Sequence, residues 1–340
     1  MSLREAIDTA VLGREVPGEL LEAAFGEIME GKASDALIAA LLVALRAKGE
    51  TVGEIVAAAR ALRAAAVTVP GVDPRAIDTC GTGGDGAETF NISTAAAFVV
   101  AGAGTPVAKH GNRAASSRTG SVDVLEALGV CVDLSVEASA RILADVGIAP
   151  FFARIAHPAM ANVAPVRREL GFRTVMNCLG PLVNPVRVRL QLVGVYGPAL
   201  LEPIARALGE LGALRALVVH GSDGLDEVTT RGTTHAALLA EGEVRLLVID
   251  PTEHGIAAPA AEAIRGGDAV ENAAIIERVL GGEAGPCRDI VQLNAAAALW
   301  VAGAAEDLRS GLALAGRSID SGAARERLAA LGEATRAAAK

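Results

Sequence analysis

The first 68 or so residues place apolar side chains at helical spacing, without the alternation that strands show. SDALIAALLVALRAKGET, residues 34–51, begins at a candidate N-cap serine and keeps its helical period up to Lys48-Gly49. VGEIVAAARALRAAA, residues 52–66, continues with the same period. We therefore predict a small all-helical lobe over residues 1–70, because Pro70-Gly71 then interrupts the pattern.

After residue 71 the pattern changes to short apolar runs that alternate with helical stretches. The runs that predict strands are RAIDT (75–79), TPVAKHG (105–111), VCVDL (130–134), LQLVGVYG (190–197), RALVVHG (215–221) and HAALLAEGEVRLLVID (235–250). Helical stretches lie between and after them, at residues 93–104, 121–129, 201–212, 294–308 and 324–340. Strand and helix in turn predict an α/β lobe over residues 71–340, with a mostly parallel sheet flanked by helices.

Composition narrows the class of protein. The 340 residues are 51% hydrophobic and only 2% aromatic, so aliphatic side chains must build the core. A net charge of −9 argues against a nucleic-acid partner. The four cysteines form no C-x-x-C pair, and no stretch has the length of a membrane span or the pattern of a signal peptide. We expect a soluble, reduced, cytoplasmic protein with no membrane partner.

A glycine-rich stretch, DTCGTGGDGAETFNIST, occupies residues 78–94. It contains a G-x-G-x-x-G match, but the acidic residue expected about twenty positions later is missing, and Walker A fails as well. A strand that leads through a glycine turn into a helix exposes main-chain N–H groups, which bind anions. The alternative is a glycine-rich connector with an ordinary helix cap.

Basic residues follow the next predicted strand, in KHGNRAASSRTGSVD, residues 109–123. In a parallel sheet this segment and the glycine-rich stretch both lie at the carboxyl ends of strands, where ligands bind. Together they predict a phosphate pocket. A solvated basic turn is the alternative for the segment on its own.

An acidic pair, Asp226 and Glu227, lies in HGSDGLDEVTT, residues 220–230, after a predicted buried strand. Carboxylates beside a phosphate pocket predict Mg²⁺, which is bound by a few carboxylates, waters and substrate oxygens. The alternative is an acidic surface turn.

The segment from His157 to Pro185 has less regular chemistry. Arg167 and Arg168 are able to clamp a carboxylate, or to pair with Glu169 and its neighbours. NCLGPLVNP, residues 177–185, is expected to break a helix and to connect the lobes.

Taken together, these motifs resemble the anthranilate phosphoribosyltransferase family, within the nucleoside phosphorylase-like phosphoribosyltransferases. The resemblance covers most of the chain, and its motifs occur in one order: ALRAKGET (44–51), GTGGD (81–85), NIST (91–94), KHGNRAASS (109–117), GSVDVLEALG (120–129), HPAM (157–160), RRELGFRT (167–174), NCLGPLVNP (177–185) and DGLDE (223–227).

The resemblance implies a fold, a reaction and partners. Part of about residues 165–185 would return to the helical lobe, and two copies would form a homodimer through the helical lobes. The reaction would join anthranilate to phosphoribosyl pyrophosphate (PRPP), release pyrophosphate and require Mg²⁺. Closure of the lobes over the 177–185 connector would exclude water.

The resemblance also implies site residues, taken motif by motif. The PRPP-binding positions would be Gly81, Gly84, Asp85, Thr89, Asn91, Ile92, Ser93, Thr94, Lys109, His110, Gly111, Asn112, Arg113, Ala114, Ala115, Ser116, Ser117 and Ser121. The metal positions would be Ser93, Asp226 and Glu227. Anthranilate would contact Gly81, Asn112 and Arg167, with His110 and His157 nearby, and Lys109 would stabilise the leaving group without any strong general base.

Two other functions are weighed against this one. A pyrimidine nucleoside phosphorylase of the same fold would use phosphate and a nucleoside, and Asn112 and Arg167 in their motifs disfavour it. A non-catalytic paralogue that binds nucleotides is disfavoured by the intact acidic pair.

Overall fold

The structure is a computed structural model that describes residues 2–69, 71–114 and 118–339. Four helices make up the amino-terminal part: α1 (Ser2–Val11), α2 (Gly18–Met29), α3 (Asp35–Lys48) and α4 (Val52–Ala64). Further helices are α5 (Ile92–Gly102), α6 (Ser121–Ala127), α7 (Val136–Val146), α8 (Ala153–Ala156), α9 (Ala164–Leu170), α10 (Leu201–Glu210), α11 (Ala269–Leu280), α12 (Pro286–Val301), α13 (Leu308–Asp320) and α14 (Ala323–Ala338). Short 3-10 helices cover Pro158–Asn162, Val175–Asn177, Gly180–Val183, Pro198–Leu200, Pro251–His254 and Ala261–Ile264.

A buried carboxylate fixes the start of α4. The Thr51 hydroxyl accepts from the Glu54 N–H (3.2 Å), and the Glu54 side chain accepts from the Thr51 N–H (2.9 Å), which forms a capping box. Glu54 also accepts from the Val16 N–H (2.9 Å) and from Lys48 Nζ (2.8 Å). This network joins α4 to α3 and to the loop after α1.

Seven strands form one sheet in the order β3-β2-β1-β4-β5-β6-β7. The first five in this order are parallel, whereas β6 and β7 form an antiparallel hairpin at one edge. The strands are β1 (Ile77–Asp78), β2 (Val107–Gly111), β3 (Ile148–Phe152), β4 (Leu190–Gly194), β5 (Arg215–Gly221), β6 (Thr234–Ala240) and β7 (Glu243–Ile249). The prediction of a small helical lobe and a mostly parallel sheet flanked by helices is confirmed.

Each face of the sheet packs on a separate apolar core. In β5, Leu217 and Val219 belong to the core beneath α5 and α12, whereas Ala216 and Val218 belong to the core shared with α1 to α4. The alternation follows from the two-residue period of a strand. Residues from the middle segment, such as Val166 on α9, join the helical-lobe core. Because that core continues into the sheet, the division of the chain at residue 70 stays a prediction.

The predicted strand at 130–134 is wrong. Val130, Val132 and Leu134 are buried with strand-like alternation, but the Cys131 N–H donates to Thr335 Oγ1 (3.1 Å) and the segment joins no sheet. These side chains pack in the core that includes α14, which replaces a neighbouring strand as their cover. The third strand is instead Ile148–Phe152, after α7.

The 177–185 connector is a buried, pinned segment. Three successive carbonyls accept side-chain hydrogen bonds from three elements: Gly180 from His110, Pro181 from Gln191, and Leu182 from Arg63. Asn184 completes the set by donating to Asp78 Oδ2 (2.8 Å). Rotation of the lobes about this connector would break several of these bonds, so the predicted closure over it remains untested.

Candidate active site

The carboxyl ends of β1 and β4 meet where the strand order reverses. The chain runs from β1 outward to β2 and β3, and then returns to the other side of β1 with β4. Ligands of open parallel sheets bind at such switch points. The glycine loop, which we define as residues 81–86, follows β1 at this position, and the loop that carries the acidic pair follows β5 on the same edge.

Gly81 lies where two loops meet. A Cβ on it would stand 3.0 Å from Asp226 Oδ2 and 3.1 Å from the Gly194 carbonyl oxygen. A side chain at this position would therefore crowd the acidic pair and the end of β4, which would have to shift slightly to admit it. Close contacts within the protein therefore favour glycine at this position, whether or not a ligand approaches it.

The acidic pair lies against the main chain of both loops. The Gly83 N–H donates to Asp226 Oδ2 (2.7 Å), and the Ser93 N–H donates to Glu227 Oε1 (3.2 Å). Asp85 is the third carboxylate of the group, and its Oδ2 accepts from the Asp226 N–H (3.3 Å).

Both residues of the acidic pair are half-buried. Desolvation, aided by the charge of Asp85, raises the pKa of Asp226 to about 7. Desolvation and the charge of Asp226 raise the pKa of Glu227 to about 8. Half-buried carboxylates that repel one another form a site that a cation stabilises.

Lys109 supplies a cation directly beside this group. Its side chain is buried on β2, and Nζ donates to the Thr79 carbonyl (3.0 Å) and to Ser93 Oγ (3.2 Å). Its charge favours ionisation of Asp78 and Glu227, although desolvation outweighs it and raises the pKa of Asp78 to about 6. Predicted PRPP and metal positions are thus joined by hydrogen bonds around Ser93.

A second set of metal-type side chains lies behind the glycine loop. Single donor atoms of Asp78, Cys80 and His110 lie within 4.8 Å of one another. Both Asp78 oxygens already accept, one from the His110 N–H (3.2 Å) and one from Asn184. Burial raises the pKa of the Cys80 thiol to about 12, which keeps it protonated. We assign this set to bracing β1 against β2, and the ligands for Mg²⁺ to the acidic pair.

The remaining predicted PRPP-binding positions near α5 differ in whether their side chains are buried or already bonded. Ile92 and Thr94 are buried, so only their main chain can reach a ligand, and the Thr94 hydroxyl has no partner among the described residues. The Asn91 side chain is engaged by the Thr119 carbonyl and by Asn272. Thr89 forms an isolated bridge with Arg265.

Several groups of the basic segment that were predicted to bind phosphate are already paired within the protein. The Arg113 guanidinium forms a bidentate pair with Glu126 (2.5 and 2.8 Å) and also contacts Asp123. Asp123 also accepts from the Ala114 and Gly120 N–H groups (3.0 and 2.8 Å), and the Asn112 carbonyl accepts from Ser121 Oγ (3.4 Å). Gly111 is half-buried at the end of β2. Ala115, Ser116 and Ser117 lie outside the described residues.

Two histidine rings meet on the other side of β2. The rings of His110 and His157 form an edge-to-face pair with centroids 5.3 Å apart. Burial lowers the pKa of His110 to about 3 and that of His157 to about 4, so both are neutral near pH 7. His110 Nε2 and both ring nitrogens of His157 have no hydrogen-bond partner among the described residues. Two predicted neighbours of anthranilate are therefore brought together.

Arg167 lies on α9, on the helical-lobe side. Desolvation lowers the pKa of its guanidinium, and within residues 2–69, 71–114 and 118–339 it makes no ion pair. The alternative of a salt bridge to Glu169 is not seen. Among the described residues, no hydrogen bond or ion pair joins Arg167 to the glycine loop, so its place in the site stays a prediction.

Gly194, at the end of β4, was not singled out in the sequence. A Cβ on it would lie 1.4 Å from the Asp226 carbonyl oxygen, and its own carbonyl accepts from the Thr82 N–H (2.8 Å). The signal that was available is a glycine at the carboxyl end of a buried strand, where backbones approach closely.

Replacing Gly194 with Ala is expected to displace the acidic loop and to lower activity by at least about 100-fold, because small displacements of site residues have effects of that size. Steady-state kinetics and a melting curve measure the two effects. Gly197→Ala is the matched control in the same loop, since a Cβ there meets nothing within 4 Å. Full activity of Gly194→Ala would contradict the assigned contact.

His157→Asn is expected to reduce the loss of stability in acid. The pKa of His157 is about 4 in the folded protein, below its ordinary value, so the unfolded chain binds the proton first as the pH falls. The contribution of neutral His157 to the free energy of unfolding is therefore present above pH 6.5. It is lost as the pH falls towards 4, by about 1.4 kcal/mol per pH unit. Denaturant unfolding of both proteins at pH 7.5 and pH 5 measures it. Equal pH dependence of the two proteins would count against a neutral, buried His157.

Comparisons with known proteins show the family to which the chain belongs. A glycosyl transferase family model for the helical bundle domain matches residues 4–66, and the model for the family's a/b domain matches residues 73–325. The anthranilate phosphoribosyltransferase of Symbiobacterium thermophilum is 52% identical over 323 residues, covering 95% of each chain. That of Moorella thermoacetica is 52% identical over 97% of each chain. The chain belongs to the anthranilate phosphoribosyltransferase family.

Solved structures of the same family share the whole fold. The enzyme of Thermus thermophilus superposes with a TM-score of 0.92 at 43% identity, covering 97% of this chain and 99% of that one. The enzyme of Saccharomyces cerevisiae, in complex with PRPP and Mg, has a TM-score of 0.90 at 26% identity over 98% of both chains. Family membership makes this chain a pentosyl-transferring glycosyltransferase.

Proposed function

We infer that this chain transfers the 5-phosphoribosyl group of PRPP to the amino group of anthranilate, releasing pyrophosphate, as a step of tryptophan biosynthesis. The observation that carries the inference is the convergence of main-chain amides, a buried lysine and an acidic pair at one switch point. Hydrogen bonds of 2.7–3.2 Å join Asp226 to the glycine loop, Glu227 to the start of α5, and Lys109 to Ser93. A sugar diphosphate requires these three kinds of group together.

The donor set of the acidic pair fits Mg²⁺. The half-buried Asp226 and Glu227 offer carboxylate oxygens, and Ser93 offers a hydroxyl that Lys109 contacts. All three are oxygen ligands, which is the preference of Mg²⁺. When bound, Mg²⁺ supplies charge neutralisation between these carboxylates and the diphosphate.

The chain's own residues orient the diphosphate and stabilise its departure. The glycine loop and the amino terminus of α5 lie at the same edge of the sheet, where the helix dipole favours an anion, and the N–H groups of Gly83 and Ser93 there donate to the acidic pair. Lys109 Nζ, close to Ser93, stabilises negative charge that develops on the leaving oxygen. Positive charge builds on the sugar ring at the same time, so electrostatic stabilisation of the separating charges dominates.

No strong general base is assigned. The anthranilate amine is neutral and attacks C1 of the ribose directly, and it releases its proton after the bond has formed. Orientation of two substrates contributes up to about 7–11 kcal/mol, whereas a proton acceptor adds about 10²–10⁴-fold. His110 and His157, with pKa values of about 3 and 4, are hydrogen-bonding groups near pH 7 and poor bases.

The assay that tests this function follows anthranilate fluorescence in a mixture of protein, PRPP and Mg²⁺. A fall in fluorescence that requires all components supports the proposal. A pyrimidine nucleoside phosphorylase would instead consume phosphate and a nucleoside, and activity with those substrates alone would overturn it.

Arg167→Ala is expected to raise the KM for anthranilate by about 10- to 100-fold, which is the size of a lost charged hydrogen bond. Arg167 makes no ion pair among the described residues, so it is available to the anthranilate carboxylate. Calorimetry with Mg²⁺ and PRPP should give an unchanged Kd. Loss of PRPP binding instead would overturn this division of the cleft.

A homodimer through the helical lobe completes the proposal. Val11 and Leu12 at the end of α1 and Val43 on α3 are exposed (69%, 66% and 40%), and such apolar surface favours a partner. No helix among the described residues has both the length and the apolar character that a membrane crossing requires. The cytoplasmic location stays a prediction.

A further inference from the structure

One arginine outside the predicted site contacts the glycine loop from the segment after α9. The Arg173 guanidinium lies 4.2 Å above the centroid of the Tyr196 ring, and its Nη2 donates to the Gly84 carbonyl. Arg173 belongs to the segment after α9, Tyr196 follows β4, and Gly84 is the midpoint of the glycine loop. Three segments distant in sequence therefore meet at one side chain.

Tyr196 is attached to the same loop independently. Its N–H donates to Thr82 Oγ1 (3.1 Å), and the Thr82 N–H donates to the Gly194 carbonyl (2.8 Å). The first half of the glycine loop is thus fixed to the end of β4. Arg173 joins the second half to that support, because it uses the Tyr196 ring as a platform while it bonds to Gly84.

The glycine loop requires such support because its backbone is intrinsically mobile. Gly83, Gly84 and Gly86 have φ of 66°, 76° and 76°, in the left-handed region, and all three are exposed. Glycine loses more backbone entropy on ordering than any other residue. A loop ordered before the ligand arrives lowers the entropic cost of binding.

The chemistry of the contact is specific to arginine. A planar guanidinium stacks on an aromatic ring and still presents N–H donors at its edge, whereas the ammonium of lysine provides a charge without the planar stack. Tyr196 is itself half-buried, and it lies close enough to Glu50 and Arg46 of the helical lobe to feel their charges. The contact therefore lies where the helical lobe approaches the sheet.

We propose that Arg173 is a positioning residue that, supported by the Tyr196 ring, holds the glycine loop in the conformation that binds a sugar diphosphate. The proposal rests on the proposed function, because it assigns the diphosphate to this loop. Arg173 acts through Gly84 and is assigned no contact with the reacting atoms.

Steady-state kinetics give the first test. Arg173→Ala is expected to raise the KM for PRPP by about tenfold, the size of one charge-assisted hydrogen bond, with kcat changed less than about threefold. Arg173→Lys should recover part of the effect, Tyr196→Phe should behave like the wild type, and Tyr196→Leu should resemble Arg173→Ala. Arg206→Ala is the control, since in the described part of the chain Arg206 forms its ion pair with Glu202 on the surface of α10. An unchanged KM for PRPP, or full recovery by Arg173→Lys, would overturn the proposal.

The single tyrosine of the chain allows a second test that does not depend on activity. Protein labelled with 3-fluorotyrosine has one type of fluorine site, at Tyr196, and its ¹⁹F signal should differ between the wild type and Arg173→Ala without ligand. An identical signal in the two proteins would show that the contact is absent in solution and would overturn the proposal.

Calorimetry with Mg²⁺ and PRPP separates this proposal from the proposed function. Weaker binding by Arg173→Ala than by the wild type supports the positioning role, and equal binding refutes it. If the wild type itself binds no PRPP, the proposed function fails first.

Discussion

Replacing Glu227 with Gln is expected to lower kcat/KM by about 10³-fold and to raise the melting temperature of the metal-free protein by several degrees. The loss of activity follows because Glu227 is one of two carboxylates assigned to Mg²⁺, and a bound metal contributes several kcal/mol to charge stabilisation. The gain in stability follows because desolvation and Asp226 raise the pKa of Glu227 to about 8, so the charged form is unfavourable in the folded protein. Asp226→Asn is expected to act in the same direction.

Activity as a function of Mg²⁺ concentration, together with melting curves at pH 8.5 with and without the ion, measures both effects. The sign follows from the raised pKa: the folded protein retains a proton that the unfolded chain releases, so stability falls as the pH rises from about 4.5 to 8. Asp223→Asn is the matched control, because Asp223 is bound to Thr229 and Arg231 in the same loop. An unaltered Mg²⁺ dependence of Glu227→Gln would refute the metal assignment.

Replacing Lys109 with Met is expected to lower kcat by about 10²–10³-fold, the size measured for loss of one preorganised donor to a developing negative charge. Met keeps the apolar stem of the side chain, which is only 4% exposed, and removes the charge that lies 3.2 Å from Ser93 Oγ. Single-turnover kinetics at saturating PRPP isolate the chemical step from binding.

Lys48→Met provides the control for burial of a lysine. Lys48 is also buried, but it pairs with Glu54 (2.8 Å) in the helical lobe, away from the acidic pair. Its replacement should destabilise the fold by about 3–5 kcal/mol, since it leaves the buried Glu54 carboxylate without its cationic partner, and should leave kcat unchanged. If the two variants lose kcat equally, the effect of Lys109 is one of folding and not of catalysis.

Predictions from local sequence patterns were correct where the periodicity of neighbouring residues determines the structure. The helical spacing of residues 34–66 corresponds to α3 and α4, and the glycine loop was expected at the carboxyl ends of the parallel strands, with the acidic pair beside its phosphate pocket. Alternation failed at residues 130–134, because side chains buried against α14 alternate just as side chains buried in a sheet do. Periodicity reports burial on one side, and it does not report which element covers that side.

In the basic segment, the charge of a residue likewise did not reveal which group it contacts. Arg113 was expected to bind phosphate, but its guanidinium pairs with Glu126, thirteen residues further along the chain. Gly194 and the pair of Arg173 and Tyr196 were not found at all. Each acts through a contact with a residue that is distant in sequence, and no local spacing marks such a contact.

From the sequence alone follow the helical lobe, the mostly parallel sheet, the family resemblance, and the chemical types that handle a diphosphate: glycine amides, a lysine and two carboxylates. These features depend on the identity of the residues and on the local period of apolar positions, and both can be read from the sequence. The tertiary structure alone decided that Gly81 and Gly194 make room for Asp226, that Lys109 bonds to Ser93, and that Arg173 reaches Gly84. Packing brings together segments that are far apart in sequence, such as Gly83 and Asp226, which are 143 residues apart, and only that packing determines which groups touch.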